Sequence, residues 1–378
     1  STYVNNWESG GNVTFIATTP VIREKPFLFV DESGAYKVFR PALRREAVGV
    51  SYSRDNMGEG EVLDLRRDFF VVRPGVNAAE LNRHLAAGKH LLFLPGFHYL
   101  DQPLRVARRG TIVMGLGWAT LVPSECNAEA AMVVDDVDGV TVASLLFDAH
   151  HSSRALLRLD GGSRSHEADP TLLADVFFRV GGFRAAPVHV DCALDIAAND
   201  VVGDHFWIWR ADRGVNGSVG WDVHTSPCGL HVTGRGVTIY GLFNEHFQQY
   251  QTLWAGECGR VYFYQCETPY DAGRQDRYMS LDGTRAGYAA YKVADTVQVH
   301  SAYGLGIYDV YFSTDIRMEN SMEVPERPGV LIYHVCNVSL SDPGQRGIGH
   351  IVNGKVPSTY NTFRVCRPYI TEFVGGVV

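Results

Sequence analysis

The sequence predicts an all-β fold, a single right-handed parallel β-helix with a short N-terminal capping helix. Three observations carry that expectation. From about residue 110 the helical period fades, and short apolar alternations broken by Gly, Asp and Asn take over, which is the strand signal. One pattern then recurs: a turn residue, at most one spacer, Val, any residue, another apolar one. It stands in "DGVTVASLLF" (138–147), "NDVVGDHFWIW" (199–209), "GVTIYGLF" (236–243), "GRVYFYQCE" (259–267), "DTVQVHSAYG" (295–304) and "NVSLSD" (337–342). The marker valines Val140, Val201, Val237, Val261, Val297 and Val338 step by 61, 36, 24, 36 and 41 residues. Read as coils of roughly two dozen residues with insertions of about a dozen, these steps describe a solenoid of stacked strands. The hairpin turns that a sandwich would need are confined to "VNGK" and "VNGS".

Taken in order, residues 1–70 are the more charged part, with breaks at "EKP" and "NMGEGE". They are expected to form an extension of irregular strands and loops packed on the solenoid, which itself occupies 71–378. "NAAELNRHLAAGKHLLFLPGFHYL" (77–100) supplies the helix: Asn77 is an N-cap residue, Ala78, Leu81 and Leu85 share one face, and Gly88 ends it. Its expected task is to cover the open end of the first coil, because a bare strand edge invites pairing with other chains.

Composition narrows the partners. The 378 residues, 46% hydrophobic and 20% charged, can build one large domain or two ordinary ones. A net charge of −8 without a Lys or Arg block argues against nucleic acid. No apolar run approaches the ~18 residues that cross a bilayer. The 39 glycines and 18 tyrosines suit an extracellular all-β protein, and a start at Ser1 fits a chain freed of its targeting segment. Secretion is therefore expected. Sequons at Asn12, Asn216 and Asn337 matter only in a glycosylating host. Seven cysteines, an odd number, lack metal-ligand spacing, so neither metal nor cofactor is expected. Cys192 and Cys228 each precede their marker valine by nine residues, a placement that admits a disulfide or two buried thiols on adjacent rungs. Cys258 and Cys266 span an extended strand and are too far apart to join.

The chemistry concentrates in "NEHFQQYQTLWAGECGRVYFYQCETPYD" (244–271), where Glu245 and Glu267 lie 22 residues apart. With a coil of that length they stand at equivalent places on neighbouring rungs, ~4.8 Å apart along the stack. Two carboxylates so placed do not both ionise cheaply, and one pKa rises. A protonated carboxyl beside an ionised one is what glycoside hydrolysis uses. Gln248, Gln249 and Gln265 are candidates to hold sugar hydroxyls or a water, and Tyr250, Trp254 and Tyr270 offer ring faces. From spacing alone, a solvated acid ladder is the plainer reading. In "HFWIWRADRG" (205–214), Trp207 and Trp209 point to one side of a strand and are followed by Arg210 and Asp212. Such tryptophan pairs are more often core than platform, though the acid at the strand's exit favours a platform for one of them.

Other groupings are weaker. "VVDDVDG" (133–139) reads as a solvated turn before it reads as a calcium site, and Lys292 and Arg210 are candidate lyase bases that nothing ties to a calcium cluster. "AHHSS" (149–153) and "GGSRSHEAD" (161–169) read as polar loops, and "GLGIYD" (304–309) lacks the context of a nucleotide fold.

The "NEH…Q" segment, "CETPYD" 22 residues later and the preceding "WRAD" resemble the catalytic half of glycoside hydrolase family 55, secreted β-1,3-glucanases of fungi and bacteria. Related secreted proteins of actinobacteria and myxobacteria look alike. The resemblance covers roughly residues 75 to 350. It implies a secreted hydrolase of a β-glucan, β-1,3-linked, with a polysaccharide or oligosaccharide as partner. It implies Glu267 as general acid with Tyr270 beside it, and Glu245 as the acid that helps to hold the attacking water. Trp209 and Asp212 would stack on and bind the terminal sugar, and Gln248, Gln265 and Asp271 complete the candidate substrate-binding set. The implied reaction is inverting, for which carboxyl pairs stand ~6.5–9.5 Å apart, against ~5–5.5 Å in retaining enzymes. Either the two side chains diverge from adjacent rungs, or several polar groups hold the water. Family members are built from two β-helices with the site between them, and this chain has room for one. The alternative is a β-helix that binds carbohydrate without turning it over, or serves as a structural module.

Overall fold

The computed structural model describes residues 14–53, 56–310, 316–340, 347–358 and 369–378. The chain divides into two compact units, Ser1–Asp68 and Phe69–Val378. The sequon at Asn12 lies outside the described residues.

In the first unit, Thr19–Ile22 pairs antiparallel with Arg44–Ala47, and Phe27–Val30, Tyr36–Pro41 and Gly60–Asp64 form a three-stranded antiparallel sheet. Phe27 packs against Phe29, Phe39 and Tyr52 at ring separations of 5.0–6.2 Å. Val38 and Phe39 are its most buried apolar side chains.

The second unit is a solenoid of large parallel sheets. Among the described residues one sheet has 13 strands and the other 11, and the long strands of the larger sheet are separated along the chain by strands of the smaller one. The site lies on the larger sheet. Its long strands Thr141–Ala149, Leu172–Val180, Val202–Arg210, Thr238–Glu245, Gly259–Glu267, His300–Asp309 and Val330–Ser339 pair in parallel, in chain order. The column Thr141, Leu172, Val202, Thr238, Arg260, Ser301 and Leu331 gives coils of 31, 30, 36, 22, 41 and 30 residues.

This register corrects the marker-valine reading. The step of 61 holds two coils, because Leu172–Val180 is a rung that lacks the marker. Val140, Val201 and Val237 precede partners in register and so share a column, whereas Val261 pairs with Ile239, two places further along. Val338 pairs with Tyr308 near the far end of its strand, and Val297 precedes its strand altogether. A turn residue followed by Val and a second apolar residue marks strand without saying where on it the pattern falls. "VNGK" is the one of the two candidate turns that makes a hairpin, joining Gly347–Val352 to Lys355–Pro357.

Each long strand is interrupted by one residue in the left-handed region, and these residues stack: Ser144, Asp175, His205, Gly241, Phe263, Gly304 and His334, with φ between 50° and 70°. Beyond the bend, alternation sends two columns inward. One holds Leu145, Val176, Phe206, Leu242, Tyr264, Leu305 and Val335; the other holds Phe147, Phe178, Ile208, Asn244, Cys266, Ile307 and Asn337. All are buried, at roughly 1.5–3 kcal/mol for each large apolar side chain. Asn337 bonds to Ser321 and Ser358 in this core, so its sequon is not displayed. The same alternation turns the second and fourth residues after each bend outward, and the candidate site is built there.

Helix Ala78–Ala86 starts where the Asn77 side chain accepts the Glu80 N–H at 2.8 Å, and buries Ala78, Leu81 and Leu85. Tyr369–Val374 runs antiparallel to Val330–Ser339 at the other end of the large sheet.

The bend column generates a clean test of backbone strain. A Cβ at Gly241 would meet nothing closer than 3.8 Å, so Gly241→Ala changes only conformational preference at φ +66°. A loss of about 1 kcal/mol is expected in urea unfolding; an unchanged midpoint would contradict a strained bend.

Candidate active site

Two outward columns run side by side along the large sheet. Two residues beyond the bend stand Phe177, Trp207, Phe243, Gln265 and Gly306. Four residues beyond it stand Asp148, Arg179, Trp209 and Glu245 on successive rungs, then Glu267 paired with Tyr308. Phe243 pairs with Gln265, and the His246 N–H bonds the Glu267 carbonyl at 2.8 Å, which carries the same register out to Glu245 and Glu267. The two glutamates occupy one column on neighbouring rungs, as their 22-residue spacing suggested.

The tryptophans belong to this outer face. Trp207 and Trp209 stack at 5.3 Å and 22°, with Trp207 40% exposed, while Phe206 and Ile208 between and before them fill the core. The general tendency of such pairs to be core does not hold here, where a platform for one of them is expected, because the bend at His205 sets which face each residue takes. Trp207 also donates its indole N–H to Glu245 Oε2 at 2.8 Å.

The two carboxyls differ in environment. Glu245 is only 8% exposed, and burial pushes its pKa up to about 7, with the Glu267 charge adding to the rise and bonds from Trp207 and Gln265 opposing it. Glu267 is the more open of the two, its side chain 30% exposed. The Tyr270 hydroxyl donates to Glu267 Oε2. Burial, then that carboxylate, hold the Tyr270 hydroxyl protonated far above its usual range. Gln265 Nε2 reaches Glu267 Oε1 at 3.4 Å, and the same amide is near enough to Glu245 to oppose the rise of its pKa. Its Oε1 is buried without a hydrogen-bond partner. His246, at φ +68°, places Nε2 3.7 Å from Glu267 Oε2 and packs edge-on to Tyr270 at 4.3 Å. Burial holds this imidazole neutral by lowering its pKa, and its Nδ1 bonds the Thr268 carbonyl at 3.0 Å. Asp212, at the exit of the tryptophan strand, adds its charge to the field at Glu245, His246 and Tyr270.

A buried cation holds the floor. Arg210 is 1% exposed. Its Nε bonds the His224 carbonyl at 2.7 Å, and Nη1 and Nη2 grip Asp271 at 3.0 and 2.9 Å. Nη1 also reaches the His246 carbonyl at 3.1 Å, tying the Glu245 rung to the tryptophan rung. Such a guanidinium is no lyase base. Lys292, the other candidate base, pairs with Asp295 and Glu323 on the second sheet.

The structure therefore gathers Glu245, Glu267, Gln265, Trp209, Asp212 and Tyr270, and reassigns others. Asp271 already faces Arg210 with both oxygens, which gives it a supporting position. Gln248 is fastened at both ends, its Oε1 to the Ser226 N–H and its Nε2 to the Trp221 carbonyl, so it is not delivered to the acids. Trp254 is fully buried and bonds the Gly256 carbonyl, and Tyr250 packs on Tyr288 in a separate cluster. A dense run of polar and aromatic residues does not show which of them pass the strand end and turn away. His246, which adjoins Glu245, carries no signal in the sequence beyond that position, and Trp207, read there as a candidate ring face, is in addition a donor to Glu245. The aspartates of "VVDDVDG" clamp His166 from two sides, Asp136 at 2.7 Å and Asp138 at 2.8 Å.

Comparison with known proteins decides the family. The model of the LAM55 pectate lyase-like domain matches residues 69–267. The chain is 44% identical over 345 residues to an exo-β-1,3-glucanase of Streptomyces sp. (strain SirexAA-E / ActE). The chain belongs to the LAM55 family. The resemblance to glycoside hydrolase family 55 is thereby shown. The match covers 90% of this chain and 55% of that LAM55 relative, so the chain spans about half the length of the enzyme it resembles. The solved structure of sacteLam55A from Streptomyces sp. SirexAA-E superposes with a TM-score of 0.87 at 41% identity, covering 94% of this chain and 63% of the other. A variant of the same protein, solved in complex with glucose, gives 0.86. Tailspike protein 2 of bacteriophage CAB120 shares the fold alone, with a TM-score of 0.51, 10% identity, and coverage of 91% and 48%.

Two predictions follow from the site's electrostatics. Because the folded-state pKa of Glu245 exceeds the ordinary 4.5, the native state holds the extra proton between about 4.5 and 7. That side chain's contribution to stability is therefore greatest below 4.5 and is lost as pH rises through about 7. Glu245→Gln should stabilise the protein relative to wild type by about 2 kcal/mol more at pH 8 than at pH 4.5 in urea titrations. A constant difference across that range would rule out the buried acid. Asp271→Ala leaves Arg210 uncompensated and should cost about 3 kcal/mol of stability, with little change in sugar affinity of the folded fraction.

Proposed function

We propose that this chain is a secreted glycoside hydrolase acting on a β-1,3-linked glucan by inverting hydrolysis. The single observation that carries the reading is the pair of carboxyls on adjacent rungs, one held protonated near neutral pH, beside a stacked tryptophan pair on the outer face. The relative named as an exo-β-1,3-glucanase and the glucose complex of sacteLam55A support the choice of substrate. In this reading the second unit is one right-handed β-helix whose first coil is capped by helix Ala78–Ala86, and residues 1–70 are an N-terminal extension of strands and loops.

Trp209 supplies the ring face for the terminal sugar, with Asp212 and Tyr270 binding its hydroxyls. Glu267 is the general acid at the glycosidic oxygen, and Glu245 serves the attacking water on the opposite face of the sugar. Burial keeps a proton on Glu245 up to about pH 7, so the carboxylate that can orient and activate water is the form present above that pH. Gln265, two residues before Glu267 on the same strand, holds Glu267 Oε1 with its amide and so helps to set the direction of the acid. Trp207 bonds the same Glu245 oxygen throughout, so the base keeps its aim as its charge changes. Arg210 and Asp271 act at one remove, by fixing the backbone at His246.

The test is release of reducing sugar from β-1,3, β-1,4, β-1,6 and α-linked glucans. Activity on the β-1,3 polymer alone is expected, with Glu267→Gln lowering kcat by 10³-fold or more while near-UV circular dichroism stays native. NMR of the first product formed should show the α-anomer. A β-anomer would overturn the inverting assignment. Binding of the glucan without any release by folded wild type would replace the hydrolase with the carbohydrate-binding reading.

A further inference from the structure

Outside the site, the second sheet holds an arrangement of thiols that the hydrolase reading does not use. Strand Val188–Ile196 pairs in parallel with Cys228–Val232, and Cys192 and Cys228 are direct register partners. Among the described residues they are the cysteines that face each other across a rung, and both are free. Cys192 Sγ lies 3.4 Å from the Leu194 carbonyl and 3.8 Å from the Gly229 carbonyl, on the Cys228 strand. Both residues are half-buried. In-register parallel neighbours stand ~4.8 Å apart, inside the ~4.4–6.8 Å of Cα separations that a disulfide spans. The Cβ atoms must close to ~3.8 Å, so the bond forms under some tension and is readily reduced again.

We propose that Cys192 and Cys228 are a redox modification site that closes to a rung-to-rung disulfide when the protein meets a disulfide oxidant. One thiol loses its proton and attacks the sulfur of a small-molecule disulfide, expelling one thiolate. The second thiol then attacks the mixed disulfide, expels the other thiol, and leaves the protein two electrons and two protons poorer, with the oxidant reduced to two thiols. Burial and the neighbouring Cys228 push the Cys192 thiol well above its ordinary pKa, which makes closure slow near neutral pH and faster in alkali. The loop that closes runs from 192 to 228. It contains the Val202–Arg210 strand and Asp212, so the link fastens the coil that carries the stacked tryptophans and the buried arginine. The inference stands independently of the glucanase reading.

The experiment treats the folded chain with oxidised glutathione, alkylates the remaining thiols with N-ethylmaleimide and maps peptides by mass spectrometry without reduction. The expected product is one crosslinked peptide pair joining Cys192 to Cys228. Tm should rise on the order of 5 °C, an increase reversed by dithiothreitol and absent in Cys192→Ser. Alkylation of both cysteines after oxidant, a glutathione adduct that never resolves, or a crosslink to another cysteine would each overturn the proposal. The wild-type peptide map decides even if Cys192→Ser folds poorly.

Discussion

The site depends on one constraint, the parallel register of the long strands together with the left-handed residue that interrupts each of them. Register makes residues one coil apart into neighbours, whatever the length of loop between them. The 22-residue coil puts Glu267 beside Glu245, and the 36-residue coil puts Trp209 beside the same glutamate. The bend then decides facing. With His205, Gly241 and Phe263 all at positive φ in one column, the side chains two and four places later emerge together on the outer surface. A bend displaced by one residue on a single rung would turn its tryptophans or its glutamate into the core.

What this scaffold presents is a proton held in a defined place. Glu245 is buried beside a second carboxyl, which favours its neutral form, and yet an indole N–H and an amide bond its oxygens. The burial effect exceeds the hydrogen bonds, and the acid stays protonated to about 7. Above that, a charge is held in a site that resists it, and the local structure must bear the cost. The Arg210–Asp271 pair, with carbonyls of His224, His246 and Gly220 bonded to the same guanidinium, braces the loops on either side of it. A buried cation that bonds two separate backbone segments, the Gly220–His224 turn and His246, limits how far the glutamate rung can relax away from its neighbour.

Much of this was legible in the sequence, for reasons that can be named. The short strands, the coil spacing of Glu245 and Glu267, and the shared face of Trp207 and Trp209 follow from periods of two residues and of one coil. The helix at Ala78–Ala86 shows in its cap and apolar face. Less legible was anything that depends on where a strand ends or bends. Leu172–Val180 is a rung without a marker. Gln248, Asp271 and Trp254 have the chemistry of a sugar site, but the chain turns them toward Trp221, Arg210 and the core. The bend column itself reads Ser, Asp, His, Gly, Phe, Gly, His, and only its two glycines signal a left-handed backbone.

That the bend admits Phe263, 58% exposed and edge-on to Phe243 at 5.7 Å, shows how the scaffold separates its two demands. A bulky residue at positive φ is unfavourable by itself. The neighbouring rungs above and below, paired in parallel on both sides, over-determine its conformation. Strain of this kind can be carried wherever a rung is flanked by two others, and it is hardest to carry at the ends of the stack. The acids and tryptophans stand on the Val202–Arg210, Thr238–Glu245 and Gly259–Glu267 rungs, each with neighbours on both sides. A buried, reluctantly charged glutamate needs the same support as a strained backbone, so interior rungs are where a solenoid can hold both.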